Sequence, residues 1–285
     1  MNCISSKTAS EFLAVAEDLL LLNESEHNVI LGVANSLAKG LLPADDALFI
    51  SVMSNSLPVG HAIRSDRNKP LAVSRMDPEA AKSLVDYCVN QGIQIHEVTG
   101  PADVSESFAT AWTSQKEVGL QATRSLGVYE LERVIFPAPD GRSLINAFSA
   151  DREIVAKYVL GFLEECFPDE ENPKHRAVEL AERQIKNATL YLWKGSEDIE
   201  PVSMAAKARE TRNGATISLV YTPPHLRGLG FGSRIVAALS DRCLRSGKKF
   251  CNLFTDLTNP TSNSIYQKIG YRKLGESKHY VFTKC

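Results

Sequence analysis

The stretch Val220-Tyr-Thr-Pro-Pro-His-Leu-Arg-Gly-Leu-Gly-Phe-Gly-Ser-Arg234 joins a predicted strand to a predicted helix. Two consecutive prolines cannot continue a central strand, so the strand is predicted to end at Tyr221. Gly228, Gly230 and Gly232 alternate with other residues, and an amphipathic helix follows. Glycines let the backbone turn sharply and approach a ligand closely. Together with the unpaired N–H groups at the start of the helix, they predict an anion site that fits a diphosphate.

The glycine spacing separates this loop from two other phosphate-binding motifs. A Walker loop requires Gly-Lys followed by Ser or Thr, whereas the chain has Gly232-Ser233-Arg234. The dinucleotide fingerprint G-x-G-x-x-G is not matched, because the spacing is G-x-G-x-G. That fingerprint also requires an acidic residue about 20 residues further on. Asp256 is near that position, so a nucleotide-dependent oxidoreductase stays open as an alternative.

Two motifs in the last third of the chain resemble a known family. Residues 227–232, Arg-Gly-Leu-Gly-Phe-Gly, resemble the acetyl-CoA loop of GNAT-superfamily N-acetyltransferases, whose pattern is Arg/Gln-x-x-Gly-x-Gly/Ala. Residues 259–271, Asn-Pro-Thr-Ser-Asn-Ser-Ile-Tyr-Gln-Lys-Ile-Gly-Tyr, resemble that family's Asn-x-x-Ala-x-x-Leu-Tyr-x-x-x-Gly-Phe segment, with Ser262 in place of the usual Ala. The motifs have the separation expected for successive βα units. The resemblance covers about residues 143–285 in element order.

The resemblance implies acetyl-CoA as co-substrate and assigns the residues that would hold it. Backbone groups of Leu219, Val220 and Tyr221 would bind pantetheine, and an N–H near Val220 would polarise the thioester carbonyl. Asn259 and Ser262 would support the cofactor near the next helix, although Asn259 could serve only as a helix cap. The residues implied to bind the pyrophosphate are Arg227, Gly228, Leu229, Gly230, Phe231, Gly232 and Ser233.

Tyr266 is implied as the general acid. A phenol with a pKa of about 10 can donate to the thiolate that leaves when an amine attacks a thioester. Tyr266 also lies at helical spacing with Ile265 and Ile269, so a packing role is the alternative. The strand 215–221 contains no carboxylate, where the family often has a Glu, and no general base is identified. This departure motivates a second hypothesis, an acyl-CoA-binding sensor or pseudoenzyme without turnover.

The order of predicted elements indicates an α/β fold with a mixed sheet. The turn-rich segment 137–142, Pro-Ala-Pro-Asp-Gly-Arg, predicts a boundary between domains at 1–136 and 143–285. The second domain is expected to be the acetyl-CoA-binding GNAT domain. The first is expected to be a degenerate GNAT-like unit without the glycine loop, which gives two tandem units. Strands are predicted at 128–136, 271–274 and 279–282, among others.

Composition limits the class of partner. The formal net charge of −2 over 285 residues indicates no nucleic acid partner. No uncharged apolar run approaches the roughly 18 residues that span a bilayer, and residues 1–11 lack a signal-peptide pattern. We therefore expect a cytoplasmic protein without a membrane partner. The six cysteines show no C-x-x-C spacing, so no metal site is expected.

The reaction implied by the resemblance is transfer of acetyl from acetyl-CoA to a primary amine, by direct attack in a ternary complex. The acceptor is expected to be a small-molecule or peptide amine. Trp112 and Trp193 are candidates for lining an acceptor cleft, with core packing as the alternative. A monomer and a homodimer are both compatible with the sequence.

Overall fold

The computed structural model describes residues 1–284, and the side chains of residues 260–262 and 284 lie outside this description. The strands are β1 (Asn2–Ser5), β2 (Leu48–Ser54), β3 (Leu57–Arg64), β4 (Leu71–Val73), β5 (Glu97–Pro101), β6 (Val118–Leu131), β7 (Ser143–Asn146), β8 (Leu190–Lys194), β9 (Ser203–Glu210), β10 (Gly214–Tyr221), β11 (Phe250–Asp256) and β12 (Arg272–Lys284). The helices are α1 (Ala9–Leu21), α2 (Asn28–Ala38), α3 (Pro78–Asn90), α4 (Ala102–Lys116), α5 (Arg152–Cys166), α6 (Pro173–Lys186), α7 (Phe231–Arg245) and α8 (Pro260–Lys268).

The chain divides into two compact units. The first comprises Met1–Val128, Thr255–Thr258 and the residues from Lys273 onward. Its strands follow the order β1-β2-β3-β4-β5-β12-β6. One apolar cluster packs α3 and α4 against this sheet, and another packs α1 and α2 against it. Successive side chains of a strand point to opposite faces, so the two helix pairs cover opposite faces of the sheet.

The second unit comprises Tyr129–Phe254 and Asn259–Arg272. Its strand order from the end of β6 is β11-β10-β9-β8-β7. Helices α5 and α6 pack on one face, where Leu192 and Met204 are fully buried, whereas α7 packs on the other face with Ala205 and Ile217. Strand β10 pairs antiparallel with β9 and parallel with β11, so the sheet is mixed.

The same element order occurs twice. The series β1-α1-α2-β2-β3-β4-α3-β5-α4-β6 is repeated from β7 to β12 with one helix or strand at each corresponding place. The predicted mixed α/β fold built from two tandem units is therefore confirmed. The last strand of each series lies partly in the other unit. Most of β12, which ends the second series, belongs to the first unit, and Tyr129–Leu131 of β6, which ends the first series, belong to the second unit.

Several predicted element limits were wrong. The strand predicted at 128–136 runs instead from Val118 to Leu131, and residues 120–124 in its first half are exposed and form no buried apolar face. The two strands predicted at 271–274 and 279–282 are one continuous strand, β12. The structure also contains β1 and β4, which were missed because each has only three or four residues. The domain limits 1–136 and 143–285 stay a prediction. The boundary between the two compact units lies between Val128 and Tyr129.

Two buried histidines make the stability of the first unit dependent on pH. Burial is the main cause that lowers the pKa of His61 to about 4 from 6.5 and lowers the pKa of His27. His61 is fully buried beside the Ser51 hydroxyl at 3.0 Å. His27 Nδ1 lies 2.9 Å from the Leu20 carbonyl, and its Nε2 accepts the Arg75 N–H at 2.9 Å. His27 can form both hydrogen bonds only as a neutral imidazole. A proton on its Nε2 would break the bond from the Arg75 N–H.

We expect the free energy of unfolding to fall as the pH drops from 6.5 towards 4. A group with a lower pKa in the folded chain binds its proton more tightly when unfolded, so its stabilising effect is present above the unfolded pKa and is lost below it. Urea unfolding at a series of pH values gives the slope of the unfolding free energy against pH. His61→Gln should reduce this slope by up to about 1.4 kcal/mol per pH unit. His175→Gln, at an exposed position on α6, is the control. An unchanged slope in His61→Gln contradicts the prediction.

Candidate acyl-CoA site

Strand β10 contains a bulge where the sequence predicted the pantetheine contacts. Leu219 has a φ of +50°, which is uncommon for a residue with a branched side chain. The register with β9 moves from Ser218 opposite Ala206 to Tyr221 opposite Met204. Three steps on β10 thus match two on β9, which is one extra residue and therefore a β-bulge. The bulge places an irregular stretch of main chain at residues 219–221.

The parallel neighbour of β10 ends its pairing before this bulge. The register with β11 covers Gly214 with Phe250 through Thr216 with Asn252, and within the described residues it extends no further. The Tyr221 carbonyl accepts the Ser203 hydroxyl at 2.9 Å, on the β9 side. The bulge at residues 219–221 therefore lies on the part of β10 that is beyond the last residue paired with β11. The role of residues 219–221 stays a prediction.

The glycine loop has the backbone that a tight anion site requires. Gly228 and Gly230 have φ values of +80° and +79°, in the left-handed region that favours glycine. Helix α7 begins at Phe231, directly after Gly230. In the part of the chain that the structure describes, the main-chain N–H groups from Gly228 to Ser233 donate no hydrogen bond. Six consecutive donors at a helix start are thus available to an anion.

Arg227, predicted to bind phosphate, is paired with a carboxylate in this structure. Its Nη2 donates to both carboxylate oxygens of Glu165 on α5, at 2.6 and 2.8 Å. Its Nε donates to the Thr222 carbonyl at 3.0 Å, and the guanidinium lies 5.7 Å from the centre of the Tyr221 ring. Both partners of the ion pair are about half exposed. Exposed pairs of this kind contribute roughly 0–1 kcal/mol, so a diphosphate can replace Glu165 at little cost.

Tyr266, the predicted acid, lies on α8 with 9% of its surface exposed. Its ring centre is 6.0 Å from that of Tyr271 in an edge-on arrangement. No hydrogen bond of its hydroxyl occurs among the described residues, whereas the Tyr271 hydroxyl bonds Ser240 at 2.8 Å. Burial is the main cause that raises the pKa of Tyr266 above 10. The hydroxyl therefore stays protonated and has its donor capacity unused.

The remaining predicted cofactor residues lie at the start of α8. The Asn259 carbonyl accepts the Asn263 N–H at 3.2 Å, so Asn259 occupies the capping position directly before α8. The side chain of Ser262 lies outside the described residues. Trp112 and Trp193 are buried in the apolar cores of the first and second units respectively, which favours the packing alternative for both. Asp256 accepts the N–H and hydroxyl of Thr258, each at 2.7 Å.

The place in the first unit that corresponds to the glycine loop is closed. Helix α3 follows β4 after only four residues, and the Asp77 side chain accepts the Ala80 N–H at 2.7 Å. A carboxylate thus occupies the helix start and would repel a phosphate. Strands β4 and β5 also stay close together where β4 ends. The main chain at Gly100 lies so near the Val73 carbonyl that an added Cβ would collide with it. At this place, the described residues of the first unit therefore form neither an anion loop nor a strand opening.

Sequence reasoning missed the groups that surround the loop. Glu165 bonds Arg227 across 62 positions of sequence, and Ser203 bonds the Tyr221 carbonyl and the Thr222 hydroxyl that precede the loop. No motif in the sequence links either residue to this region. Within the described residues, no cluster of three or more His, Cys, Asp or Glu side chains is arranged to hold a metal ion. None of the described helices has both the length and the apolar character needed to cross a membrane.

Comparison with known proteins agrees with this geometry. Residues 196–281 match the family model described as FR47-like protein. No curated protein sequence matches the chain. Among solved structures, a Drosophila protein is 14% identical with a TM-score of 0.68, and 98% of each chain is covered. A GCN5-related N-acetyltransferase from Sphaerobacter thermophilus is 16% identical with a TM-score of 0.64, covering 99% of this chain and 96% of that one.

A tandem GNAT protein from the clavulanic acid biosynthesis pathway is 12% identical with a TM-score of 0.57, covering 98% of this chain and 97% of that one. The fold is thus one that this chain shares with GNAT acetyltransferases, and the resemblance predicted from its two motifs is confirmed. The mixed sheet also differs from the mostly parallel sheet of dinucleotide-binding proteins, so the oxidoreductase alternative loses its structural basis.

Proposed function

We propose that this chain is an N-acetyltransferase that transfers acetyl from acetyl-CoA to a primary amine, with its one cofactor site in the second unit. The observation that carries the proposal is the set of six N–H donors from Gly228 to Ser233, none of which is used within the described residues. They follow β10 after the short connection 222–227, and the pairing of β10 with β11 stops at Thr216. An anion site and a strand opening on one strand suit a diphosphate joined to an extended arm.

Each group around the opening has a defined task in this proposal. Acetyl-CoA supplies the thioester that the amine attacks and the thiolate that leaves. The loop N–H groups hold the diphosphate, and Arg227 exchanges Glu165 for it. The main chain at Leu219 and Val220 aligns the arm, and the Val220 N–H stabilises negative charge on the carbonyl oxygen. Tyr266 donates its hydroxyl proton towards the departing sulfur.

The raised pKa of Tyr266 defines what this side chain can do. Burial makes the phenolate costly, so the hydroxyl is neutral over the physiological range and always able to donate. Complete transfer of its proton is correspondingly less favourable than for an exposed tyrosine. Tyr266 therefore acts first as a hydrogen-bond donor that stabilises thiolate charge. If the phenol proton passes to the sulfur as the C–S bond breaks, the phenolate is reprotonated by the proton that the nitrogen loses after forming its bond to the acetyl carbon.

A second candidate function follows from one feature of β10. The strand 215–221 carries no Asp or Glu, so it supplies no carboxylate base for the amine. An acyl-CoA sensor without turnover fits this composition. A thiol-release screen with acetyl-CoA and a panel of small-molecule and peptide amines separates the two candidates. Release of CoA that depends on an amine supports the enzyme, and binding without release across the panel supports the sensor.

We expect the full chain to bind CoA with a stoichiometry of one. The second unit offers the open loop, whereas Asp77 caps the corresponding helix in the first unit and the strand pair beside it is closed. Isothermal titration calorimetry measures the number of sites directly. A stoichiometry of two contradicts the proposed difference between the units, and an absence of binding overturns the proposed function.

A further inference from the structure

Arg234 connects the glycine loop to the segment that precedes the second unit's first strand. It lies in the first turn of α7, and its Nη1 donates to the Leu229 carbonyl at 2.7 Å. Its Nε donates to the Ala138 carbonyl at 2.8 Å and lies 3.7 Å from an Asp140 carboxylate oxygen. Only 18% of the Arg234 side chain is exposed. One guanidinium thus ties the loop to residues 138–140.

The segment that Arg234 contacts is itself fixed to the core. The Asp140 carboxylate accepts the Trp193 indole N–H at 3.2 Å and the Arg142 backbone N–H at 3.2 Å. Arg142 in turn forms two hydrogen bonds with the Asp198 carboxylate, at 2.7 and 2.9 Å. Its guanidinium also lies 4.9 Å from the centre of the Phe231 ring, on the first residue of α7. Residues 138–142 therefore form a fixed support beside the loop.

The bond to Leu229 sets the direction of a loop donor. A trans peptide is planar, with its C=O and N–H on opposite sides. Because Arg234 holds the Leu229 carbonyl on its own side, the Gly230 N–H of the same peptide points to the other side. A Cβ on Gly230 would lie 2.7 Å from the Arg234 Nη1, so the glycine also leaves room for this bond. The nearby Asp140 carboxylate balances the charge of Arg234. Arg234 is therefore a poor ligand for a phosphate.

We propose that Arg234 is a positioning residue that presets the Leu229–Gly230 peptide for a diphosphate, with residues 138–140 as its support. This inference rests on the proposed function, because the ligand of the loop is the CoA diphosphate. Without the guanidinium, the peptide is free to rotate and each binding event must order it again. The loss then falls on ligands that carry a diphosphate, and ligands that contact only the strand opening are unaffected.

The test compares two ligands in three proteins. Arg234→Met removes both hydrogen bonds and keeps much of the aliphatic stem. Arg245→Met is the matched control, because Arg245 lies on the same helix, is 78% exposed and pairs with Asp241. We expect Arg234→Met to raise the Kd for CoA about tenfold or more, and Arg245→Met to leave it unchanged. Binding of S-acetylpantetheine, which lacks the diphosphate, should be equal in all three by saturation-transfer NMR.

Arg234→Lys keeps the charge but can reach only one of the two carbonyls, so it should recover part of the CoA affinity. Equal CoA affinity in wild type and Arg234→Met overturns this inference and leaves the proposed function standing. An equal loss for both ligands also overturns it, since that pattern indicates a general loss of structure, which thermal unfolding would show. A wild-type chain that binds no CoA overturns the proposed function and this inference together.

Discussion

Tyr266→Phe is expected to lower kcat by about two to three orders of magnitude and to leave the Kd for CoA within about twofold of wild type. The Tyr266 hydroxyl has no hydrogen-bond partner among the described residues, so its removal costs the folded protein little. A Phe ring preserves the edge-on contact with Tyr271. The change therefore removes one donor that is used only when the thiolate departs. Thiol release with an accepting amine, measured at saturating acetyl-CoA, gives kcat.

Tyr271→Phe is the matched control for this prediction. Tyr271 is also a buried tyrosine, and its hydroxyl is bonded to Ser240 at 2.8 Å in the core. Its loss should lower the midpoint of thermal unfolding and leave kcat close to wild type. A Tyr266→Phe enzyme that keeps the wild-type kcat would remove Tyr266 from the proposed role.

Gly232→Asp is expected to weaken CoA binding by about 100-fold relative to Gly232→Asn. Gly232 lies in the first turn of α7, and a Cβ there would meet only the Thr222 hydroxyl at an ordinary 3.5 Å. Asp and Asn have nearly the same shape, so the comparison isolates the charge. A carboxylate among the loop N–H groups repels a diphosphate in the way that Asp77 closes the corresponding helix start in the first unit.

The same carboxylate favours the helix itself, because an acidic side chain stabilises the N-terminus of a helix by about 0.3–1 kcal/mol. We therefore expect the Gly232→Asp protein to melt at the same temperature as Gly232→Asn or above it. Calorimetric titration with CoA and a thermal unfolding scan measure the two effects. Equal CoA affinity in the Asp and Asn variants would show that the diphosphate lies elsewhere.

Much of the second unit could be predicted from the sequence because its signals are local. The glycine pattern at 228, 230 and 232 predicted both the turn and the start of α7, and the structure places positive φ at Gly228 and Gly230. Apolar alternation predicted β10 to within one residue. The order of elements, read together with the two motifs, predicted the fold. Each of these features depends on residues that are close in sequence.

Features that depend on tertiary contacts could not be predicted. Residues 120–124 of strand β6 are exposed, so no buried apolar face marks the first half of this strand. The positive φ of Leu219 has no sequence signal, because a branched residue rarely adopts it. The turn 137–142 looked like a linker, whereas its contacts with Arg234 make it part of the loop's surroundings. Glu165 pairs with Arg227 across 62 positions of sequence.

The decisive experiment is a crystal structure of the full chain with acetyl-CoA. We expect the diphosphate within hydrogen-bond distance of the N–H groups between Gly228 and Ser233, the pantetheine arm between β10 and β11, and the thioester sulfur beside the Tyr266 hydroxyl. Arg227 should have left Glu165 for a phosphate oxygen. Acetyl-CoA bound away from this loop, or at the Asp77 end of α3 in the first unit, would contradict it.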